Sequence, residues 1–299
     1  MIKRQDPVVY SEGQPPAPLN REQVQSYEEN GFLFLDSLFS AEEVTAFAKE
    51  LNRLSTRKDV RSAPESVLEP DSGEVRSIFR VHELSELFAR LARDPRVLNV
   101  ARHILGDEVY IHQSRINYKS GFKGRDFQWH SDFETWHTED GMPRMRAVSM
   151  SVLLTDNNEH NGPLFLIPGS HNTYVSCVGE TPKDNYKKSL RKQEIGVPDE
   201  VYLKLMTDQG GLVAPKGPAG SVLFFDCNTM HGSPSNISPY PRSNVFMVYN
   251  ALSNGVRDPF GSQRSRPEFI ATRDHIQALN PLGDDKPLIQ KTQGSAWAA

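Results

Sequence analysis

The stretch EVYIHQSRINYK, residues 108–119, begins a part of the chain made of short segments that alternate in polarity or are wholly apolar. Glycine, proline, asparagine and aspartate separate these segments, which is typical of β-strands joined by turns. On this pattern we predict strands at residues 108–119, 146–155, 164–167, 221–226 and 243–252. Most of the chain beyond Asp107 is therefore expected to form β-sheet.

The first third of the chain has helical patterning instead. Asn20 can cap a short helix that Gly31 would end, and Ser40 begins a capping box that precedes apolar residues at helical spacing. A third helix is capped by Asp94 and runs to Gly106. Helices followed by many strands predict an α+β fold. The most economical core is a double-stranded β-helix, the jelly roll of cupin type, with flanking N-terminal helices.

Two segments stand apart from this core. Residues 1–19 are rich in proline and polar groups and are expected to form a flexible N-terminal arm, with one domain over residues 20–299. A charged stretch at residues 176–209 is too long for an ordinary hairpin loop. It is either a lid or a plain surface excursion, and the pattern does not choose between them.

Composition excludes several classes of protein. The 299 residues include 34 Lys and Arg against 38 Asp and Glu, and no basic block is long enough to bind nucleic acid. No run approaches the roughly 20 apolar residues of a membrane span. The two cysteines, Cys177 and Cys227, form neither a CxxC motif nor a disulfide framework. We therefore expect a cytoplasmic protein with no membrane or nucleic-acid partner.

Three side chains could form a metal site. His130 and Asp132 form an HxD pair, and on an extended segment both would leave the same face. His231, just beyond an apolar strand, can supply a third ligand. Two imidazoles and a carboxylate leave three positions open on an octahedral iron, whereas structural zinc sites are closed and tetrahedral and often use thiolates. An isolated HxD is weak evidence, but the set favours iron.

Basic residues before and after the candidate metal ligands could bind a small acidic molecule. Arg242 begins a predicted strand and could grip the carboxylate of 2-oxoglutarate, although a solvent-facing arginine at a strand entrance is the plain alternative. Strand parity puts Gln113, Arg115, Asn117 and Lys119 on one face. So many polar groups argue against a hydrophobic core, so that face meets either solvent or a polar cavity.

The run FQWHSDFETWHTEDGMP, residues 127–143, resembles the signature of ectoine hydroxylases, a branch of the phytanoyl-CoA dioxygenase-like superfamily. The likeness extends from about Leu33 to Ala271 and shows no departure inside the run. The arm and residues 279–299 match no motif, so nothing is carried over to them.

The resemblance implies an Fe(II)- and 2-oxoglutarate-dependent dioxygenase that uses O2 to convert ectoine to 5-hydroxyectoine, as a possible homodimer. It implies that iron is bound by His130, Asp132 and His231, 2-oxoglutarate by Lys119, Arg242, Phe127, Asn117 and Ser149, and substrate by Gln113, Trp136, Phe246 and, more weakly, Arg266.

Other functions stay open. A related hydroxylase could act on another small amino-acid-like or acyl substrate, and a cupin-like protein could hold a metal or osmolyte without turnover. A lone tryptophan such as Trp136 is more often a core residue than a binding residue. A halogenase is disfavoured, because that chemistry lacks the carboxylate ligand that Asp132 provides.

Overall fold

A computed structural model describes residues 1–11, 18–69, 72–177, 186–189, 196–261, 264–283 and 287–289. Helices and strands over these ranges form a mixed α+β fold. The helices are Arg21–Asn30 (α1), Ala41–Thr56 (α2), Lys58–Ser62 (α3), Val81–Leu84 (α4), Glu86–Leu91 (α5), Pro95–Leu105 (α6), Asp132–Asp140 (α7), Tyr186–Ser189 (α8) and Glu200–Gly210 (α9). The strands are Ile2–Lys3 (β1), Phe32–Leu35 (β2), Ser66–Leu68 (β3), Val75–Phe79 (β4), Val109–Lys119 (β5), Phe127–His130 (β6), Ala147–Leu153 (β7), Phe165–Leu166 (β8), Thr173–Tyr174 (β9), Val222–Asp226 (β10), His231–Ser233 (β11) and Arg242–Ala251 (β12).

The helix ends follow local capping chemistry. The side chains of Asn20 and Ser40 each accept a hydrogen bond from the backbone three residues on, and both capping boxes are closed. Asp94 caps α6, which ends at Gly106 in the left-handed region with φ 53°. Gly31 ends α1 in the same way, with φ 78°. All three predicted helices are therefore confirmed.

A seven-stranded antiparallel sheet forms the larger layer, in the order β2-β10-β7-β12-β5-β4-β3. Its central pairing places Arg242 opposite Lys119 and Phe246 opposite Arg115. A second sheet has three strands in the order β6-β11-β8 and pairs His231 with His130. The two sheets thus carry most of the candidate site residues on a small number of paired strands, while Asp132 and Trp136 lie in α7.

The alternation of side chains along β12 separates two environments. Val245, Met247 and Tyr249 belong to the main hydrophobic core, which the N-terminal helices build with residues such as Phe47 and Phe88. Phe246 points the opposite way, into a smaller cluster with Leu166 of the second sheet. The helices therefore cover one face of the large sheet, and the other face is left for the site.

The five predicted strands are confirmed, with ends shifted by one or two residues. The first third is less purely helical than expected, because β2, β3 and β4 lie within it. These strands are short, and β2 is a continuous apolar run, FLFL, that carries no periodicity. Its backbone is satisfied only by pairing with the distant β10.

The structure differs from the expectation of a loose arm over residues 1–11. Here β1 pairs with β9, the buried Arg4 contacts Asp226, and the amide of Tyr10 donates to the carbonyl of Ile104. These are long-range contacts, which local composition does not encode. Residues 12–17 lie outside the described ranges, and the extent of the domain at 20–299 stays a prediction.

The charged stretch at residues 176–209 falls partly on residues outside the described ranges. Its described end forms α9, capped by Asp199. The choice between a lid and a surface excursion stays open. Across the described ranges, no helix combines the length and the apolar character needed to cross a membrane.

Candidate active site

The three candidate metal ligands meet at the junction of β6, α7 and β11. His130 is the last residue of β6, Ser131 is extended and caps the helix, and Asp132 is the first residue of α7. We had expected both residues of the HxD pair to lie on one extended segment. In the structure they lie on two different elements, a strand and a helix. His231 joins the pair because β11 runs antiparallel to β6 with His231 opposite His130.

The donor atoms of this cluster are close enough to share one ion. Nε2 of His130 lies 3.8 Å from Oδ1 of Asp132, and Nε2 of His231 lies 3.9 Å from Oδ2 of the same carboxylate. The candidate ligand atoms all lie within 4.8 Å of one another. In the described part of the chain this is the one such group of histidine, cysteine and carboxylate side chains.

Backbone carbonyls set the orientation of both imidazoles. Nδ1 of His130 lies 2.6 Å from the carbonyl oxygen of Gln128, and Nδ1 of His231 lies 2.9 Å from that of Thr229. A carbonyl can only accept, so each Nδ1 carries the proton and each Nε2 keeps its lone pair. Both free lone pairs lie on the side of Asp132, which is the arrangement that a metal ligand set needs.

The charge states of the cluster suit a cation. Burial, helped by the neighbouring His231, lowers the pKa of His130 to about 3, so its imidazole is neutral. Burial alone would raise the pKa of Asp132, but the two imidazoles and Arg115 hold it below its usual value. Ser149 donates a hydrogen bond of 3.2 Å to Oδ2 of that carboxylate. The donor set therefore fits a divalent ion such as Fe(II).

A cavity that is partly open to solvent lies beside the cluster. It is bounded by strands of both sheets and combines cations, aromatic rings and the two imidazoles. Its lining residues are Arg115, Asn117, Phe127, His130, Leu164, His231, Ser233, Arg242 and Phe246. The polar face of β5 thus meets a polar cavity and not solvent, which resolves the alternative left open by strand parity.

Arg242 is the most telling group in this cavity. It is buried, its Nε has no hydrogen-bond partner, and no carboxylate of the described residues pairs with it. Burial lowers its pKa to about 10, because no anion offsets the loss of water. The solvent-facing alternative is therefore wrong. A buried cation without a counter-ion is costly, so its place in the cavity is explained best by an anionic ligand.

Lys119 lies opposite Arg242 on the neighbouring strand. Its Nζ donates to Oγ of Ser233 at 2.8 Å and to the carbonyl of Pro234. Burial and the adjoining Arg242 lower its pKa to about 6. Phe127 lies close by, with its ring 5.5 Å from this Nζ, and Asn117 accepts a hydrogen bond from Ser77. Four of the five candidate cosubstrate residues meet here; Ser149 contacts Asp132 instead.

Of the candidate substrate residues, only Phe246 lines the cavity. Trp136 is buried among Phe133, Met142 and Met145, and is not among the residues that line the cavity. It packs edge-on against His112, with ring centroids 5.2 Å apart. Phe246 does line the cavity, and the guanidinium of Arg115 lies 5.2 Å from its ring centre.

Gln113 and Arg266 are engaged within the protein. The amide of Gln113 donates to the carbonyl of Ile270 at 2.7 Å and accepts from Arg115 at 3.0 Å. Arg266 pairs through two nitrogens with the buried Asp140, one of them at 2.8 Å. The structure therefore gives Arg266 a carboxylate partner from the protein itself.

Arg115 is the charged cavity residue missing from the candidate set, and Leu164 and Ser233 also line the cavity without having been candidates. Arg115 is half-buried, the buried Nε has no hydrogen-bond partner, and burial lowers its pKa. Its signal in the sequence was its place on the polar face of β5, between Gln113 and Asn117. Parity placed it on the correct face but could not separate a positioning role from a binding role.

Comparison with known proteins supports the same reading. The family described as phytanoyl-CoA dioxygenase (PhyH) matches residues 27–244. An ectoine dioxygenase from Bordetella bronchiseptica is 60% identical over 291 residues, which are 97% of this chain and 94% of the relative. Crystal structures of EctD from S. alaskensis, with 2-oxoglutarate and 5-hydroxyectoine or with bound Fe, are 50% identical and cover 97% of this chain and 95% of that chain. Their TM-scores are 0.88 and 0.87.

A jelly-roll core with two histidines and one aspartate beside a cationic cavity defines a class, the iron-dependent oxygenases. The likeness to EctD confirms the predicted jelly-roll core. The chain belongs to the phytanoyl-CoA dioxygenase family, and within it to the ectoine dioxygenases. The resemblance found in residues 127–143 is thereby confirmed.

Proposed function

We infer that this chain is an Fe(II)- and 2-oxoglutarate-dependent dioxygenase that hydroxylates ectoine to 5-hydroxyectoine. One observation carries the reaction class: the cluster of His130, Asp132 and His231 adjoins a cavity that holds the uncompensated cation Arg242. The substrate follows from the relatives, which are ectoine dioxygenases at up to 60% identity. The structure from S. alaskensis that holds 2-oxoglutarate also holds 5-hydroxyectoine.

We propose that His130 and His231 bind the iron through Nε2 and that Asp132 supplies the carboxylate ligand. Bound Fe(II), with 2-oxoglutarate and O2, supplies the oxidising power for C–H hydroxylation and yields succinate and CO2. The protein contributes geometry. The carbonyls of Gln128 and Thr229 hold the imidazoles in the required tautomer, and Ser149 holds the carboxylate.

The proposed cosubstrate site is the cationic end of the cavity. Arg242 can bind one carboxylate of 2-oxoglutarate through two parallel hydrogen bonds. Lys119 stands beside it and becomes charged when an anion arrives, since its low pKa reflects burial next to Arg242. Phe127 and Asn117 form the walls.

The proposed substrate site is the opposite end, near Arg115 and Phe246. Ectoine carries an amidinium and a carboxylate on a small ring. Arg115 offers the acid a half-buried cation, and Phe246 offers the ring an apolar wall. Gln113 holds Arg115, and Arg266 acts through Asp140. Trp136 stays a proposed substrate contact.

The test is a single anaerobic reconstitution with Fe(II), 2-oxoglutarate and ectoine, followed by exposure to oxygen. We expect ectoine plus one oxygen atom by mass spectrometry, with succinate in equal amount. Asp132→Ala should abolish both. Succinate formed without hydroxyectoine would point to another small amino-acid-like or acyl substrate. Absence of any spectral change when 2-oxoglutarate meets the Fe(II) form would favour a non-catalytic cupin-like binder and contradict the proposal.

Two further predictions concern the cell and the assembly. We propose a cytoplasmic location, which the free thiols of Cys177 and Cys227 support. A homodimer stays a prediction. Sedimentation of the purified chain would test it.

A further inference from the structure

Arg4 lies near the start of the chain, yet its side chain is only 3% exposed. Its Nε donates to the carbonyl of Asp6 at 2.9 Å, and its Nη2 donates to the carbonyls of Pro7 and Met145 at 2.8 Å and 3.0 Å. Its Nη1 lies 2.8 Å from Oδ1 of Asp226, which is also buried. Arginines are almost never this buried unless they are paired, so the N-terminal segment is docked by a specific contact.

The backbone around Arg4 reinforces that contact. β1 pairs with β9, and the amide of Arg4 donates to the carbonyl of Asn172 at 2.9 Å. The side chain of Asn228 donates to the carbonyls of His171 and Thr173, on the same segment as β9. The N-terminal segment and the loop at residues 227–230 are therefore anchored to the same stretch of chain.

Asp226 connects Arg4 to the 227–230 loop. Its Oδ1 accepts from the amide of Asn228 at 2.8 Å, and its carbonyl accepts from the amide of Thr229 at 2.9 Å. The hydroxyl of Thr229 in turn donates to the carbonyl of Gly31 at 2.8 Å. The carboxylate of Asp226 thus pairs with Arg4 and also fixes the start of the loop.

The 227–230 loop contacts the metal cluster at two points. The carbonyl of Thr229 accepts the Nδ1 proton of His231 at 2.9 Å and so directs its Nε2. The carbonyl of Cys227 accepts from the amide of Phe133 at 2.8 Å, next to Asp132. A shift of the loop would therefore move two of the three proposed ligands, one from each side.

We propose that Arg4 is a positioning residue for the metal centre, acting through Asp226 and the 227–230 loop. The N-terminal segment thereby completes a site whose ligands lie far away in sequence. This inference rests on the proposed metal site of His130, Asp132 and His231. A simple stabilising contact would lower the unfolding midpoint without changing how the folded protein binds a metal.

The experiment measures Co(II) binding to the metal-free full chain under conditions where each variant is folded, using the visible ligand-field spectrum. Wild type should bind one Co(II), and Asp132→Ala should not; failure here would contradict the proposed metal site itself. Arg4→Met should bind Co(II) up to about 10-fold more weakly with an altered spectrum, because a partner bonded directly to a ligand is worth about 10- to 100-fold and Arg4 acts one contact further out. The matched control is Arg96→Met, which removes ion pairs to Glu43 and Asp94 at the starts of α2 and α6.

A second variant covers the case in which Arg4→Met does not fold. Arg4→Met with Asp226→Asn leaves no buried charge unpaired, and the asparagine oxygen can still accept from Asn228. We expect this double variant to fold and still to bind Co(II) at least several-fold more weakly than wild type. Wild-type affinity and spectrum in either folded variant, or an equal loss in Arg96→Met, would overturn the inference and leave the proposed metal site intact.

Discussion

At the scale of single residues, Arg242 destabilises the free protein but can bind an anionic ligand. A buried cation without a counter-ion destabilises the free protein, and the same charge is available to an anion that enters the cavity. Function and stability are therefore opposed at this position, which gives the proposed cosubstrate site an experimental signature that a structural arginine would not have.

Arg242→Met should weaken 2-oxoglutarate binding and stabilise the free protein. Hydrogen bonds to a charged group contribute about 1.5–3 kcal/mol each, so loss of the two proposed bonds should weaken binding by at least about 150-fold. Removing the unpaired charge should raise the free energy of unfolding. Binding is followed by absorbance of the anaerobic Fe(II) form and stability by urea titration. A variant that lost both affinity and stability would contradict a ligand-binding role.

We predict that Lys119 takes up a proton when 2-oxoglutarate binds. Its pKa of about 6 in the free protein reflects burial and the cations Arg242 and Arg76, with Asp126 and Glu69 opposing them. An arriving dianion raises this pKa, so binding takes up a proton at slightly alkaline pH, and affinity falls as pH rises above about 6. Calorimetry in two buffers of different ionisation enthalpy measures the uptake. Equal heats in both buffers, or an unchanged uptake in Lys119→Met, would refute the prediction.

At the scale of elements, α7 begins at the candidate metal cluster and carries Trp136, a proposed substrate contact. Ser131 caps it, Asp132 opens it, and Trp136 follows one turn later. Gly141 ends it with φ 78°, and the next segment leaves toward β7. The first turn carries Asp132 and Glu134, which the helix dipole favours at that end.

Gly141→Ala should destabilise the protein more than Gly73→Ala does. Both glycines have positive φ, 78° and 67°, where an alanine costs about 1–2 kcal/mol. A Cβ at Gly141 would also lie 2.1 Å from the carbonyl oxygen of Arg257, whereas at Gly73 nothing lies within 4 Å. Urea unfolding of both variants isolates the steric part. Equal losses would show that the end of α7 can move freely.

At the scale of the whole molecule, distant segments close the site. The cavity lies between the large and small sheets, the N-terminal segment docks through Arg4, and residues 264–273 run beside β5. The last of these is tied to α7 by the pair of Arg266 and Asp140, both buried, with His112 3.5 Å from the carboxylate.

Asp140→Asn should cost about 3–5 kcal/mol of unfolding free energy, because it leaves the buried Arg266 unpaired. Burial would raise the pKa of Asp140, but Arg266 holds it at about 2. The carboxylate thus stabilises the fold above its unfolded pKa, and this contribution is lost as pH falls through about 2. The control is Asp208→Asn, whose pair with the exposed Lys204 should change stability by less than about 1 kcal/mol. Similar losses in the two variants, by urea titration, would count against the buried pair.

Local chemistry explains which parts were predictable. Capping at Asn20, Ser40 and Asp94 depends on residues two or three positions apart, and the strands were visible as apolar or alternating runs. The metal set was found because HxD is a short motif, and the polar face of β5 because side chains alternate in a strand. These features need no knowledge of distant contacts.

The chain alone thus determined three of its helices, its five main strands, its family and the residues offered as ligands, since each depends on short-range pattern or on motif. Tertiary structure decided that His231 pairs with His130, that Arg242 is buried, that Arg115 joins the cavity and that Arg4 docks beside Asp226. Each of these is a contact between residues far apart in sequence. Burial and charge pairing at such contacts depend on how the sheets and termini pack, which no local pattern records.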